Sequence, residues 1–269
     1  MKFLIQIIKG EEVFQIQHDF VFELEHALKY WNWRNEEHDI LHCSLDDLHG
    51  LKSIVKDIRQ YTPIGTIEFV MKFIDLYVKK GGSKKIKPLN VPEHVLDPKY
   101  SGRKIINRTI NKDTRQSVFD ELNTFKSPLY IKSNDVIKDS MNGSYYTNHI
   151  LDELILPDGN YQISEHQSIS SEYRCFVYKG KLAGIQYYSG DFTQFPNVNS
   201  INEIVSKLNN KENEQSGYTF DVYVTSNGET YLMEVHEFFS CGLYGFNDYG
   251  ILPFMFYRTF QNIKRRLNK

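Results

Sequence analysis

The sequence predicts a mixed α/β (α+β) fold in two parts, on three observations. Residues 1–95 alternate strand-like and helix-like runs, the pattern of a small open α/β lobe. Two later stretches each read as an antiparallel hairpin, one turning at Asn227-Gly228 and the other at Lys179-Gly180. Between lobe and hairpins, the run from Lys84 to Lys99 carries Pro88, Pro92, Pro98 and four lysines, the composition of a linker.

The elements follow in order. Lys2 to Ile8 reads as a buried strand. Residues 19–31 place Phe20, Leu24, Ala27, Leu28 and Trp31 at helical spacing. Asp39 to Cys43 is a short second strand. Ser44 with Asp47 marks a helix entry, and Leu48, Leu51, Val55 and Ile58 carry its apolar stripe. After Pro63 and Gly65 a further helix runs through Phe69, Phe73 and Leu76 to a stop at Gly81-Gly82. Beyond the linker, Arg103 to Arg108 is strand-like. Asp113 with Gln116 reads as a capping box for a helix through Val118, Leu122 and Phe125. Leu129 to Lys132 and Tyr161 to Glu165 are strands, separated by a polar stretch from Ser133 to Gly143 and its sequel. Glu172 to Val177 and Leu182 to Tyr187 are the arms of the Lys179-Gly180 hairpin. Ser200 with Glu203 opens a short helix, and Lys211 to Gly217 is a charged loop. Gly242, Gly245 and Gly250 break the chain after the second hairpin. Pro253 to Leu267 is an amphipathic helix whose basic end suits the helix dipole.

Composition narrows the function. The chain of 269 residues is 41% hydrophobic and 25% charged, which is globular, and a net charge of −2 gives no electrostatic case for nucleic acid. Cys43, Cys175 and Cys241 are widely spaced and odd in number, which points to reduced thiols in the cytoplasm rather than a disulfide or zinc framework. The apolar run Met1 to Ile8 is too short for a membrane span, so no membrane partner is expected.

The chemistry concentrates in the Asn227-Gly228 hairpin. A two-residue turn there sets Val224 opposite Tyr231, Val222 opposite Met233 and Asp221 opposite Glu234. Phe220, Val222 and Val224 then share an apolar face with Tyr231, Met233 and Val235, while Asp221, Tyr223, Glu234 and His236 share the other. Opposed carboxylates are unfavourable unless a positive charge lies between them, and a hard divalent cation answers that need. A solvated hairpin with each carboxylate on a lysine or arginine is the other solution. Arg174 stands inside a strand, where burial demands a partner. Its planar fork suits a phosphate or, equally, a structural carboxylate such as Glu172. Lys132 ends a strand before a small-residue loop, as a phosphate-neutralising lysine does and as many surface lysines do.

In chain order, SEYRCFVYKGKLAGIQYYSGD and LMEVHEFFSCGLYG, with weaker support from YTPIGTIEFV and PLYIKSNDVIKDSMNG, resemble the ATP-grasp superfamily. The likeness is closest to the clade named for an arginine and two lysines, which is frequent in phages and bacteria, and it spans about residues 61–250. It implies two α+β lobes gripping ATP over residues 96–269, a nucleotide lobe of about 100–163 and a C-terminal lobe of about 164–269. A pre-ATP-grasp lobe at 1–95 precedes them. It also implies site residues. Lys132 and Lys104 would be the lysines of the nucleotide lobe, with Lys132 near the α- and β-phosphates. Met141 to Ser144 would belong to the flap over the phosphates. Ser164, Glu165, His166 and Gln167 would form the adenine hinge, largely through backbone groups. Glu172 would lie near the ribose and Arg174 at the γ-phosphate. Asp221 and Glu234 would hold Mg²⁺, with Mn²⁺ tolerated.

His236 departs from the Asn common in the superfamily, and imidazole is a poor ligand for Mg²⁺. It is either a ligand to a softer ion, a residue behind the ligands, or a substrate contact. Glu237 would point to the opposite face.

The implied activity is an ADP-forming ligase that joins a carboxylate to an amine or other nucleophile through an acyl phosphate. The alternative is an inactive nucleotide-binding adaptor on the same fold. Lysine-linked adenylate chemistry is disfavoured, because Lys132-Ser133-Asn134-Asp135 misplaces the aspartate of that motif. Relatives of this fold often pair, so a homodimer is allowed. A phage-encoded member would work in the host cytoplasm.

Overall fold

The computed structural model describes residues 1–7, 19–33, 38–78, 95–125, 128–135, 143–145, 156–209 and 216–267. The expected stop at Gly81-Gly82, most of the proline linker and the start of the flap at Met141 lie outside the described residues.

The first part is a three-stranded parallel sheet. Strand β1 (Lys2–Ile7) lies between β2 (Asp39–Ser44) and β3 (Thr62–Ile64). Helix α1 (Asp19–Trp33) buries the expected Phe20, Leu24, Ala27 and Leu28. The stripe from Leu48 to Ile58 does not form one helix. It breaks into a 3-10 turn at Asp47–Gly50, α2 (Leu51–Ile54) and a second 3-10 turn at Ile58–Gln60. Val55 is extended at φ −113°, as a β-branched residue accommodates readily. Helix α3 (Ile67–Phe73) is capped by Thr66, whose side chain accepts from the Phe69 N–H, and continues as a π turn over Ile74–Val78.

The second part contains two antiparallel sheets. Helix α4 (Pro98–Ser101) leads to β4 (Ile105–Ile110) and α5 (Arg115–Leu122). With β5 (Leu129–Ser133), β6 (Gly143–Tyr145) and β7 (Gly159–Glu165) they build a sheet of order β4-β7-β5-β6. Next come β8 (Ser171–Tyr178), β9 (Lys181–Gly190), α6 (Val198–Leu208), β10 (Gly217–Val224), β11 (Thr230–Glu237) and α7 (Leu252–Leu267). The second sheet runs β11-β10-β8-β9. The two capping boxes are replaced by other caps. Asn111 Oδ1 accepts from the N–H groups of Asp113 and Thr114 before α5, and Asn197 caps α6. Asparagine competes well for such roles because its short side chain reaches backbone N–H groups two or three residues on.

Two of the four apolar cores fix the second sheet. Tyr173, Cys175, Val177, Phe220, Val222 and Val224 face α6, through its Ile201, Ile204, Val205 and Leu208. The opposite face meets α7, whose Met255 and Phe256 join Phe176 and Phe238 to the α1 helix. Further along α7, Phe260 and Ile263 join the α3 core. One helix thus ties the parallel lobe to the second sheet, while α5 and the first antiparallel sheet keep a separate core. All three cysteines are buried free thiols. Among the described residues no helix is long and apolar enough to cross a membrane.

The β10–β11 hairpin differs from expectation near its turn and agrees at its carboxylates. Thr225 donates its N–H to Glu229 O, so the loop has three residues, with Gly228 at φ +79°. That is the three-residue hairpin with a left-handed glycine, not a two-residue turn. The register near the turn is therefore Val224 with Thr230 and Val222 with Leu232. A bulge at Met233 takes up the slip and restores Asp221 opposite Glu234. Leu232 replaces Tyr231 and Met233 on the apolar face.

Candidate functional site

Asp221 and Arg174 are direct cross-strand partners on β10 and β8. The guanidinium grips the carboxylate with both arms, Nε to Oδ1 and Nη2 to Oδ2, each at 2.8 Å. Their side chains are 9% and 1% exposed, so each ion depends on the other for solvation. Burial pushes the Asp221 carboxyl up, but the Arg174 hydrogen bonds and the His236 imidazole nearby outweigh it and hold the group below its usual range. Arg174 also donates to Gly242 O at 3.2 Å and lies over the Tyr244 ring. Glu172, the partner open to it from the sequence, binds the Tyr188 hydroxyl instead.

Glu234 receives two cations. Lys132 Nζ reaches it from β5, in the other antiparallel sheet, at 2.6 Å, and His236 Nε2 lies 2.8 Å from its second oxygen. The same imidazole nitrogen is 3.6 Å from Asp221 Oδ2. Burial disfavours charge on His236, but the Asp221 and Glu234 carboxylates beside it raise its pKa from the ordinary imidazole value. The Glu234 carboxyl is driven well below its usual range: burial opposes this, and His236 and Lys132 prevail.

Between the sheets lies a cleft of about 340 Å³. Lys132, Glu172 and Glu234 line it, as do His166 and Gln167 from the expected hinge. Glu165 closes β7 and donates its N–H to Lys104 O at 3.3 Å, and His166 donates to Pro128 O. Arg174, Asp221 and His236 adjoin the cleft at one end, joined to its lining through Glu234 and Tyr188. Lys104 is exposed and rests over the Phe125 ring, 4.8 Å from its centroid.

Its neighbour Arg103 lines the cleft, and nothing in the sequence distinguishes it from Lys104. Arg103 is 8% exposed, donates to Met233 O at 3.3 Å and leaves Nε without a partner among the described residues. Gly102 makes this possible. It sits at φ +65°, and a Cβ there would come within 2.6 Å of the Tyr223 hydroxyl and the Tyr231 ring. Tyr130, Gln162, Ile169, Tyr188 and Met233 also line the cleft and carry no mark in the sequence.

The ATP-grasp domain, R2K clade family 2, matches residues 100–252, more than half of the chain. The chain belongs to the ATP-grasp superfamily. Its fold is that of ATP-grasp proteins of known structure. D-alanine–D-alanine ligase from Bacillus anthracis is 17% identical, aligned over 99% of both chains, with a TM-score of 0.57. The D-cycloserine synthetase DcsG is 10% identical over 99% of this chain and 100% of its own, with a TM-score of 0.54. A RimK domain ATP-grasp protein from Sphaerobacter thermophilus DSM 20745 is 12% identical over the whole of both chains, with a TM-score of 0.51. No curated protein sequence matches the chain.

The ATP-grasp chain has a donor set suited to a divalent cation. Asp221, Glu234 and His236 each offer one ligand atom, all within 4.8 Å of one another. Two carboxylates suit Mg²⁺, and the imidazole widens the set toward Mn²⁺. A carboxylate has about four lone-pair sites, so the Arg174 fork does not exhaust Asp221. Glu237 does not join them, since it pairs with Arg266 of α7.

Proposed function

We propose that this protein is an ATP-dependent ligase. A substrate carboxylate oxygen attacks the γ-phosphorus of ATP, the bond to the β-phosphate oxygen breaks, and ADP leaves. An amine nitrogen then attacks the acyl carbon, phosphate leaves with the bonding electrons, and the amine proton passes to solvent or phosphate. The observation that carries this reading is the contact of Lys132 with Glu234 at 2.6 Å, which brings a phosphate-type lysine of one sheet to the carboxylate hairpin of the other. Such chemistry needs charges held in place rather than a side-chain nucleophile.

In this reading Lys132 and Arg103 neutralise the α- and β-phosphates and Arg174 the γ-phosphate. Glu172 holds the ribose, and residues 165–167 receive adenine. Asp221 and Glu234, with His236, would hold Mg²⁺ or Mn²⁺, which when bound neutralises phosphate charge. Residues 1–95 form the pre-ATP-grasp lobe and 96–269 the ATP-grasp domain. Arg103, which lines the cleft, is the stronger candidate for the second cation of the nucleotide lobe than the exposed Lys104. Arg103→Ala is expected to weaken ATP binding about tenfold or more, the size of a charged hydrogen bond, and Lys104→Ala to change it less than about twofold. Equilibrium titration of the two variants checks the order.

The activity is tested by release of ADP and phosphate over a panel of carboxylates paired with amines, with the carboxylate carrying ¹⁸O. Transfer of the label to phosphate supports the acyl phosphate. ADP release with label-free phosphate contradicts it. The second reading, a nucleotide-binding module without turnover, is favoured by the mutual pairing of Arg174 and Asp221, and it requires ATP binding with no ADP release for any pair.

A further inference from the structure

Two β-bulges shape the cleft, one on each edge strand of the second sheet. On β9 the register steps from Glu172–Ser189 to Tyr173–Tyr187, which leaves Tyr188 without a partner on β8. On β11 the step at Asp221/Val222 leaves Met233 in the same position. Bulges re-aim side chains, and both extra residues line the cleft, with the Tyr188 hydroxyl 3.9 Å from Met233 Sδ.

The Tyr188 ring is fixed. It stacks on Tyr244 at 4.9 Å and 21°, and the Arg174 guanidinium lies 5.9 Å from its centroid. The freedom left to the side chain is rotation of its O–H. That hydroxyl is 2.7 Å from Glu172 Oε2 and 3.3 Å from Asp221 Oδ2. A phenol has one proton to donate, so two carboxylates compete for it. Burial, with Asp221 and Glu172 beside it, keeps the phenol protonated.

We propose that Tyr188 is a positioning residue that couples the nucleotide sugar to the cation site. With no nucleotide its O–H serves Glu172. Once sugar hydroxyls occupy Glu172, the O–H turns to Asp221 and steadies that carboxylate. Hydrogen bonds to a ligating carboxylate typically strengthen metal binding. The inference rests on the ATP site proposed above.

The test is a cycle of calorimetric titrations with ADP and its dideoxyribose analogue, each with and without Mg²⁺, on the wild type and Tyr188→Phe. In the wild type, Mg²⁺ should enhance ADP binding about fivefold more than it enhances binding of the dideoxy analogue. In Tyr188→Phe the two enhancements should agree within about twofold. Equal enhancements in the wild type, or a sugar-dependent enhancement that survives in Tyr188→Phe, overturn the proposal alone. The wild-type arm decides even if the variant folds poorly. No nucleotide binding by the wild type overturns the ATP-site reading and this proposal with it.

Discussion

Arg174→Ala is expected to destabilise the protein as well as silence it. The substitution strands Asp221, a carboxylate 1% exposed, without the fork that solvates it. Breaking one side of such a buried pair costs about 3–5 kcal/mol, or roughly 10 °C in melting temperature for a chain of this size. Thermal denaturation checks this. Replacing both partners by apolar residues, as in Arg174→Met with Asp221→Leu, should recover most of the loss, since no lone charge remains buried. A single variant that melts with the wild type would mean that Asp221 is hydrated. The cross-strand position of the two residues is what makes the loss structural as well as functional.

Glu234→Ala is expected to do the opposite: large loss of function with small loss of stability. Its side chain and those of Lys132 and His236 are between 24% and 31% exposed, so the cations it releases can be hydrated. The stability cost should stay at about 1 kcal/mol, as for other solvent-reachable pairs. Function should suffer more, because in the proposed site Glu234 joins the cation ligands to the lysine that meets phosphate. The expected fall in kcat is about 10²–10³-fold, the size seen when one preorganised charge partner is removed. Steady-state ADP release, with a melting curve as control, checks both halves. Unchanged kcat in a folded variant would remove Glu234 from the site.

Much of this arrangement was legible from the residues, and the reasons are specific. Alternation in β8 and β10 assigned Arg174, Asp221 and their apolar neighbours to opposite faces, because period-two patterning survives wherever one face is buried. The pairing of Asp221 with Glu234 came out right through two compensating departures, a three-residue loop and a bulge. Bulges carry no sequence mark, so Tyr188 is not singled out and Met233 is assigned to the apolar face, although both lie in quoted motifs. Arg103 and Lys104 are adjacent cations, and the close approach of Gly102 to Tyr223 and Tyr231, which sets the chain at this point, is a tertiary contact distant in sequence. The helix expected through Leu48 and Ile58 failed because its stripe is shared by three short turns around Tyr61 and Tyr77 rather than one continuous helix. The hinge backbone is set by pairing with Lys104 and Pro128, contacts distant in sequence.

The measurement that tests the central claim most directly is a calorimetric titration of a non-hydrolysable ATP analogue into the wild type and Glu234→Ala, with and without Mg²⁺. The expected result is saturable binding strengthened by Mg²⁺ in the wild type, with that strengthening lost in Glu234→Ala. No binding by the wild type at millimolar analogue, or an equal response to Mg²⁺ in the variant, would contradict the assignment of this cleft as the nucleotide and cation site.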